Sequence, residues 1–281
     1  MNEKLIQNKL VWAADHPEAP QTLPVNVGPD LAVGGRDVVL MAGPCSVESY
    51  EQTRIVAQEV ARMGGRILRG GAFKPRTSPY SFQGLGHEGL EILRTVADEF
   101  GLYVVTEALG VEQLPLVAEY SDIIQIGSRN MQHYPLLWAA GETGKPVLLK
   151  RGFMSTIDEW LKAAEHIISR GNERIILCER GIRTFETATR NTLDVNAIAF
   201  VKQTTPFPVL ADPSHGTGRA DLVVAGARAA VAAGADGLLV EFHHNPEEAL
   251  SDAEQALPLS SLPRFRSEIE AIAQAMKRGL A

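Results

Sequence analysis

Three things are scarce in this 281-residue chain. Cysteine occurs only as Cys45 and Cys178, too few for a disulfide scaffold and consistent with a reducing compartment. No apolar stretch reaches the roughly 18 residues that a membrane span requires, and Met1–Leu10 lacks the apolar centre of a signal peptide. A cytoplasmic location with no membrane partner is therefore expected. Positive charge is also in deficit, with 27 Lys and Arg against 34 Asp and Glu and a formal net charge of -7. That balance argues against nucleic-acid binding, whose affinity comes mainly from clustered cations neutralising phosphates.

What the chain does contain is ordinary in amount and unusual in placement. Hydrophobic residues at 45% and charged residues at 22% suffice for a full core. Apolar runs recur at near-regular intervals, and nearly every one ends in a group able to bind an anion or a metal. The series is Val38–Met41 then Cys45, Ile67–Leu68 then Arg69 and Lys74, Val104–Val105 then Glu107, and Ile123–Ile126 then Arg129. It continues with Val147–Leu149 then Lys150, Ile175–Leu177 then Arg180, Val209–Leu210 then Asp212 and His215, and Leu238–Val240 then Glu241. Buried parallel strands read as short continuous apolar runs, so polar chemistry at one end of each predicts a ring of loops sharing one mouth.

Helical patterns separate the runs, over Ser49–Met63, Glu88–Phe100, Val111–Tyr120, Tyr134–Ala140, Thr156–Arg170, Thr184–Ile198, Arg219–Ala233 and Ser261–Arg278. Ser49 with Gln52 and Thr156 with Glu159 have capping-box spacing, and Gly64, Gly101 and Gly171 fall where helices should stop. Residues 37–281 are thus expected to form a (β/α)8 TIM barrel, since an open doubly wound sheet rarely needs so many equal units. Met1–Arg36, punctuated by Pro17, Pro20, Pro24 and Pro29 around one apolar cluster at Leu10–Trp12, is too short for an independent domain. It is expected to be an N-terminal extension, a strand or hairpin that covers the barrel floor or joins a neighbouring subunit. Gly84–Gly89 matches a dinucleotide fingerprint by letter, but no strand precedes it, so the required strand–turn–helix context is missing.

Two constellations carry chemistry. A closed barrel makes neighbours of its first, seventh and eighth strands and so gathers Cys45, His215, Glu241 and Asp252. A mixed sulfur, nitrogen and oxygen set suits one divalent transition metal, Mn, Fe, Co or Zn, and is too soft for a calcium cage. Alone, Cys45 would be a small buried filler and His215 a satisfied loop histidine; together they read as ligands. The second set is Arg69, Lys74, Arg76, Arg129, Lys150, Arg151 and Arg180. A cation at the end of an apolar strand is costly unless it is paired or meets an anion. So many cations exceed the needs of one phosphate; a substrate bearing a phosphate and a carboxylate, plus a second phosphorylated substrate, would use them. Some should pair with Glu107, Glu179 or Asp212, and Arg151, facing away from Lys150, is the expected structural member. Lys150 as an imine-forming lysine would leave the metal-type ligands unexplained.

At these residues the chain resembles the type I beta class of 3-deoxy-D-arabino-heptulosonate-7-phosphate (DAHP) synthases. The motifs are Ala42–Ser46, Arg69–Ser78, Pro79–Gly84, Gln125–Gly127, Leu149–Phe153, Cys178–Gly181, Asp212–His215 and Val240–His243, spread over about Asp37 to Lys277. The resemblance implies a TIM-barrel transferase at the entry of the shikimate pathway of aromatic amino acid and chorismate biosynthesis. Its metal would lie on Cys45, His215, Glu241 and Asp252. Phosphoenolpyruvate would meet Arg69, Lys74, Arg129, Lys150 and Arg180, and erythrose 4-phosphate would meet the loop Lys74, Pro75, Arg76, Thr77 and Ser78. Cys45, His215 and Lys74 would be catalytic, with either Lys74 or a metal-bound water serving the water attack. A homodimer or homotetramer is the form usual in the family. Members often carry a ferredoxin-like or chorismate-mutase-like regulatory domain for which Met1–Arg36 is too short, so feedback inhibition by phenylalanine, tyrosine or prephenate is not expected. A tenfold loss of activity with any of them would overturn that expectation.

Two other protein types share part of this pattern. The sister synthase that makes 3-deoxy-D-manno-octulosonate 8-phosphate from arabinose 5-phosphate shares most anion contacts. Its aldose loop typically reads Lys-Ala-Asn-Arg-Ser-Ser, so Lys74–Ser78 favours the four-carbon aldose. A non-catalytic barrel that merely binds anions would have no need of a thiolate ligand.

Overall fold

A computed structural model describes residues 22–76 and 78–281 of the chain. Eight parallel strands close into a barrel: β3 (Val39–Gly43), β4 (Ile67–Arg69), β5 (Tyr103–Ala108), β6 (Ile123–Ile126), β7 (Val147–Lys150), β8 (Ile175–Glu179), β9 (Val209–Ala211) and β10 (Gly237–His243). Closure comes from β10, which pairs with β3 on one side and β9 on the other.

Strand side chains alternate between faces, and two separate apolar clusters record it. Val39, Met41, Ile67, Val105, Ile123, Leu148, Ile176, Leu210 and Leu239 fill the barrel interior. Their neighbours Leu40, Leu68, Val104, Ile124, Val147, Leu149, Ile175, Leu177, Val209 and Leu238 pack outward against the helices. Continued two residues at a time, the inward phase reaches Arg69, Glu107, Gln125, Lys150, Cys178, Asp212 and Glu241. The interior is thus apolar below and charged at the C-terminal mouth.

The floor is closed by an antiparallel hairpin, β1 (Val25–Gly28) with β2 (Leu31–Val33). Val25, Val27, Leu31 and Val33 are buried in the inner cluster, each contributing roughly 1.5–3 kcal/mol of transfer free energy before entropic cost. Asp30 accepts from Tyr103 Oη at 2.5 Å and pairs with Arg66, and Arg174 Nη2 donates to the Asn26 carbonyl at 2.6 Å. All three partners stand at the N-terminal ends of barrel strands. The Leu10–Trp12 cluster lies outside the described residues.

The surrounding helices are α1 (Tyr50–Arg62), α2 (His87–Phe100), α3 (Leu114–Tyr120), α4 (Tyr134–Glu142), α5 (Ile157–Ile168), α6 (Val195–Thr204), the short α7 (Pro213–Thr217), α8 (Ala220–Ala232) and α9 (Leu262–Ala275). Thr156 and Glu159 form a full capping box, whereas Ser49 accepts from Gln52 N without the reciprocal bond. Gly64, Gly101 and Gly171 follow helix ends with φ of +77°, +65° and +85°. One helix is displaced from expectation. Thr184–Ile198 is mostly loop, bridged between Ile182 and Thr192, and α6 begins only after Asp194, whose side chain accepts from Ala197 N. Inside that loop, Thr184 Oγ1 accepts from Glu186 N, and Glu186 Oε1 accepts from Thr187 N and Ala188 N. Such local bonds compete with the helix ladder. The Gly84–Gly89 stretch follows a loop, with α2 starting at His87. No helix among the described residues is long and apolar enough to cross a membrane.

Candidate active site

Cys45, His215, Glu241 and Asp252 converge at the mouth from four places: the loop after β3, α7, the end of β10 and the segment beyond it. One potential ligand atom from each lies within 4.8 Å of the others. Cys45 Sγ is 3.1 Å from Ser251 Oγ and donates to Asp252 Oδ2 at 3.2 Å. His215 Nε2 stands 3.5 Å from Glu241 Oε1 and 3.7 Å from Asp252 Oδ2. The other imidazole nitrogen, Nδ1, meets Asp212 Oδ2 at 2.8 Å. That contact assigns the proton to Nδ1 and leaves the Nε2 lone pair facing the carboxylates, the arrangement second-shell carboxylates give to ligating histidines. Asp252 sits at φ +53°, ψ +39°, a left-handed conformation that aspartate tolerates better than most residues.

Electrostatics suit the same use. Burial holds His215 below the usual imidazole range, against the pull of Asp212 and Glu241. Burial opposes ionisation of Glu241, but His215 and Arg69 outweigh it and keep the carboxyl below its ordinary value. Asp252 is likewise held low, His215 and Arg190 overcoming its burial. Burial and then Glu241 push the Cys45 thiol up to about 11. The thiol is the single protonated member of a donor set that otherwise fits a divalent ion.

The cations stand around the same opening. Arg69 Nη1 donates to the Pro44 carbonyl at 2.6 Å and to Glu241 Oε1 at 3.1 Å, while its Nε is buried with no acceptor among the described residues. Lys74 Nζ reaches the Cys45 carbonyl and Sγ, each at 3.0 Å. Burial opposes its charge, but Cys45 and Glu241 prevail and keep its pKa above that of a free lysine. Lys150 Nζ pairs with Asp212 Oδ2 at 2.6 Å. Arg151 turns away to Glu179 and Asp194, at 3.0 and 2.9 Å. Arg76 donates to the Phe82 and Leu250 carbonyls.

Arg129 and Arg180 differ, for neither has a carboxylate partner among the described residues. Each lies over the ring of Phe153, at 5.4 and 4.6 Å from its centroid. Burial lowers Arg180 to about 10, and its Nη1 is buried without an acceptor among the described residues. Between the groups lies a cavity of about 300 Å³, lined by Lys74, Arg76, Ser78, Glu107, Arg129, Lys150, Arg180, His215 and Asp252 among others. Thr77 lies outside the described residues. Glu107 accepts from Gln125 Nε2 at 2.9 Å instead of pairing with a cation. Gly127 makes room for it, because a Cβ there would sit 2.0 Å from Glu107 Oε1.

Three participants escape sequence reasoning. Gln255 Nε2 donates to Glu241 Oε2 at 2.7 Å, and Arg190 Nη1 donates to Gln255 Oε1 at 2.9 Å and to Asp252 Oδ1 at 3.2 Å. Reading 184–198 as a helix hides Arg190, and nothing in the sequence marks Gln255. Phe153, at the end of the Leu149–Phe153 motif, carries no charge to draw notice.

Known proteins share these features. A profile of the DAHP synthetase I family matches residues 19–278. A phospho-2-dehydro-3-deoxyheptonate aldolase from Thermotoga maritima is 54% identical over 268 residues, 95% of this chain and 78% of that one. A crystal structure of the Thermotoga maritima DAHP synthase superposes with a TM-score of 0.92 at 50% identity, covering 97% of this chain and 78% of that chain. A 2-dehydro-3-deoxyphosphooctonate aldolase from Syntrophotalea carbinolica is 35% identical over 272 residues, 90% of this chain and 96% of that one. With the family profile spanning nearly all of a barrel whose mouth gathers the motif residues, the chain belongs to the DAHP synthetase I family.

Proposed function

We propose that this enzyme condenses phosphoenolpyruvate with erythrose 4-phosphate and water, giving DAHP and inorganic phosphate at the entry of the shikimate pathway. The observation that carries this is the juxtaposition, around one cavity, of a four-donor metal-type cluster with Arg129 and Arg180, cations that meet no carboxylate among the described residues. Phosphoenolpyruvate brings both a phosphate and a carboxylate. Arg69, Lys74, Arg129, Lys150 and Arg180 would bind it, their preset charges supplying orientation and electrostatic stabilisation. Arg76, Thr77 and Ser78 would hold erythrose 4-phosphate.

Cys45, His215, Glu241 and Asp252 would hold one divalent ion, Mn, Fe, Co or Zn, which supplies Lewis acidity toward an aldehyde oxygen when bound. C3 of the enol phosphate attacks the aldehyde carbon of erythrose 4-phosphate, and the new hydroxyl takes its proton from Lys74, whose raised pKa keeps it charged. Water adds at C2 and returns a proton to Lys74, and the tetrahedral centre then collapses to the C2 ketone as phosphate leaves with the second proton by cleavage of the C2–O bond. The cations clustered around the cavity offset the repulsion between two anionic substrates.

We assign residues 1–36 to an extension and 37–281 to the catalytic barrel, in a cytoplasmic homodimer or homotetramer. A second reading, arabinose 5-phosphate as the aldose, draws support from the octulosonate-type relatives; the Lys74, Pro75, Arg76 sequence favours the four-carbon sugar. Phosphate release with each aldose, after chelation and across a metal panel, tests the assignment. Faster turnover with erythrose 4-phosphate is expected, and preference for arabinose 5-phosphate would overturn it.

A further inference from the structure

Phe153 stands in the loop after β7, half-buried, where it lines the cavity. Three guanidinium groups gather on its ring. The Cζ atoms of Arg180, Arg183 and Arg129 lie 4.6, 5.0 and 5.4 Å from its centroid. Arg129 comes from the loop after β6, while Arg180 and Arg183 come from the loop after β8. That second loop is tied to Phe153 by its backbone as well, through Arg183 N donating to the Phe153 carbonyl at 2.7 Å. None of the three forms a carboxylate ion pair among the described residues.

Arg180 is buried, whereas Arg129 and Arg183 reach the surface; burying one cation and crowding two more against it is unfavourable unless something of opposite polarity faces them. Carboxylates would do so, but they would also compete with an anionic substrate. The face of an aromatic ring carries the negative end of its quadrupole and attracts a guanidinium without being an anion. A neutral ring can therefore hold the arginines in place and leave their N–H groups free. The buried, unpartnered Nη1 of Arg180 is what such an arrangement leaves behind.

We propose that Phe153 is a positioning residue for the anion pocket, its ring fixing Arg129 and Arg180 for the phosphate of phosphoenolpyruvate with Arg183 as a third, outer cation. The identity of that anion rests on the function proposed above; the ring's part in holding the cations does not. An aliphatic side chain of similar volume would fill the space without offering a π face.

The test compares wild type with Phe153→Leu, Phe153→Met and Phe153→Tyr, using melting temperature, steady-state kinetics and calorimetric binding of phosphoenolpyruvate and of inorganic phosphate. The Leu and Met variants are expected to raise KM and Kd for phosphoenolpyruvate about tenfold, between the scale of an exposed cation–π contact and that of a desolvated one such as Arg180 makes. Their kcat should stay within about threefold of wild type and their KM for erythrose 4-phosphate should be unchanged, with Tyr restoring the wild-type values. Met provides the aliphatic comparison if Leu lowers the melting temperature. The proposal is overturned if an aliphatic variant binds phosphoenolpyruvate as wild type does, if Tyr is as weak as Leu, or if the loss falls on kcat or on the aldose. Wild type that fails to turn over the substrate pair would sink the functional reading alone, since inorganic phosphate binding still reports on Phe153.

Discussion

On the metal-type side of the mouth, each member of the donor cluster has a partner supplied by the chain. Cys45 meets Ser251, Asp252 and Lys74; His215 meets Asp212; Glu241 meets Arg69 and Gln255; Asp252 meets Arg190. On the anion side, Arg129 and Arg180 rest on a phenyl ring and have no carboxylate among the described residues, and Arg69 Nε and Arg180 Nη1 are buried without acceptors there. The first region is arranged by the protein's own hydrogen bonds to present fixed donors. The second leaves some of its donors unspent, Arg180 Nη1 and Arg69 Nε among them, while Lys150 and Lys74 are engaged by Asp212 and Cys45. Asp212 joins them, accepting from both Lys150 and His215.

The contrast can be broken most severely at Cys45. Cys45→Ala removes the sulfur donor of the cluster, and turnover should fall on the order of a thousandfold or more, as expected when several kcal/mol of metal-derived charge stabilisation is lost. Phosphate-release kinetics together with metal content would check this. On the other side, Arg180→Gln leaves the metal ligands untouched and should cut kcat/KM about a hundredfold, the cost of one preorganised donor to developing charge. Metal affinity, read by chelator competition, should not move.

A smaller effect probes how the chain orients its own ligands. Gln255→Leu deletes the donor to Glu241 Oε2 and should weaken metal binding by about ten- to a hundredfold, the usual range for an outer-shell partner. Phosphoenolpyruvate affinity should hold. The gentlest probe is pH. Burial and Glu241 raise the Cys45 thiol to about 11, whereas burial lowers His215. An incoming ion must therefore expel the thiol proton, and its apparent affinity should climb roughly tenfold per pH unit above neutrality. Calorimetry in buffers of different ionisation enthalpy should find about one proton released per ion. Release of none would show that Cys45 is not a ligand.

Much of this was legible in the sequence because a barrel strand states both its identity and its direction. Val147–Leu149 followed by Lys150 declares a buried strand and the end at which chemistry sits. Ligand types such as Cys45 and His215 are chemically conspicuous once barrel closure makes them neighbours. What stayed hidden is what acts through geometry alone. Gln255 is an ordinary glutamine until it is seen beneath Glu241, and Phe153 an ordinary aromatic until three arginines are found on its ring. The helix expected over Thr184–Ile198 failed because the threonine hydroxyls and Glu186 bond the local backbone instead, and the loop they shape delivers Arg190 to Asp252.

If the two regions are built independently, removing the metal should leave the anion side intact. Calorimetric titration of phosphoenolpyruvate into chelated and metal-loaded protein, with phosphate release measured on the same samples, tests this most directly. The expected result is phosphoenolpyruvate binding within about threefold in the two forms, against turnover that vanishes on chelation and returns with a divalent transition metal. Phosphoenolpyruvate binding that disappears with the metal, or phosphate release that survives chelation, would contradict it.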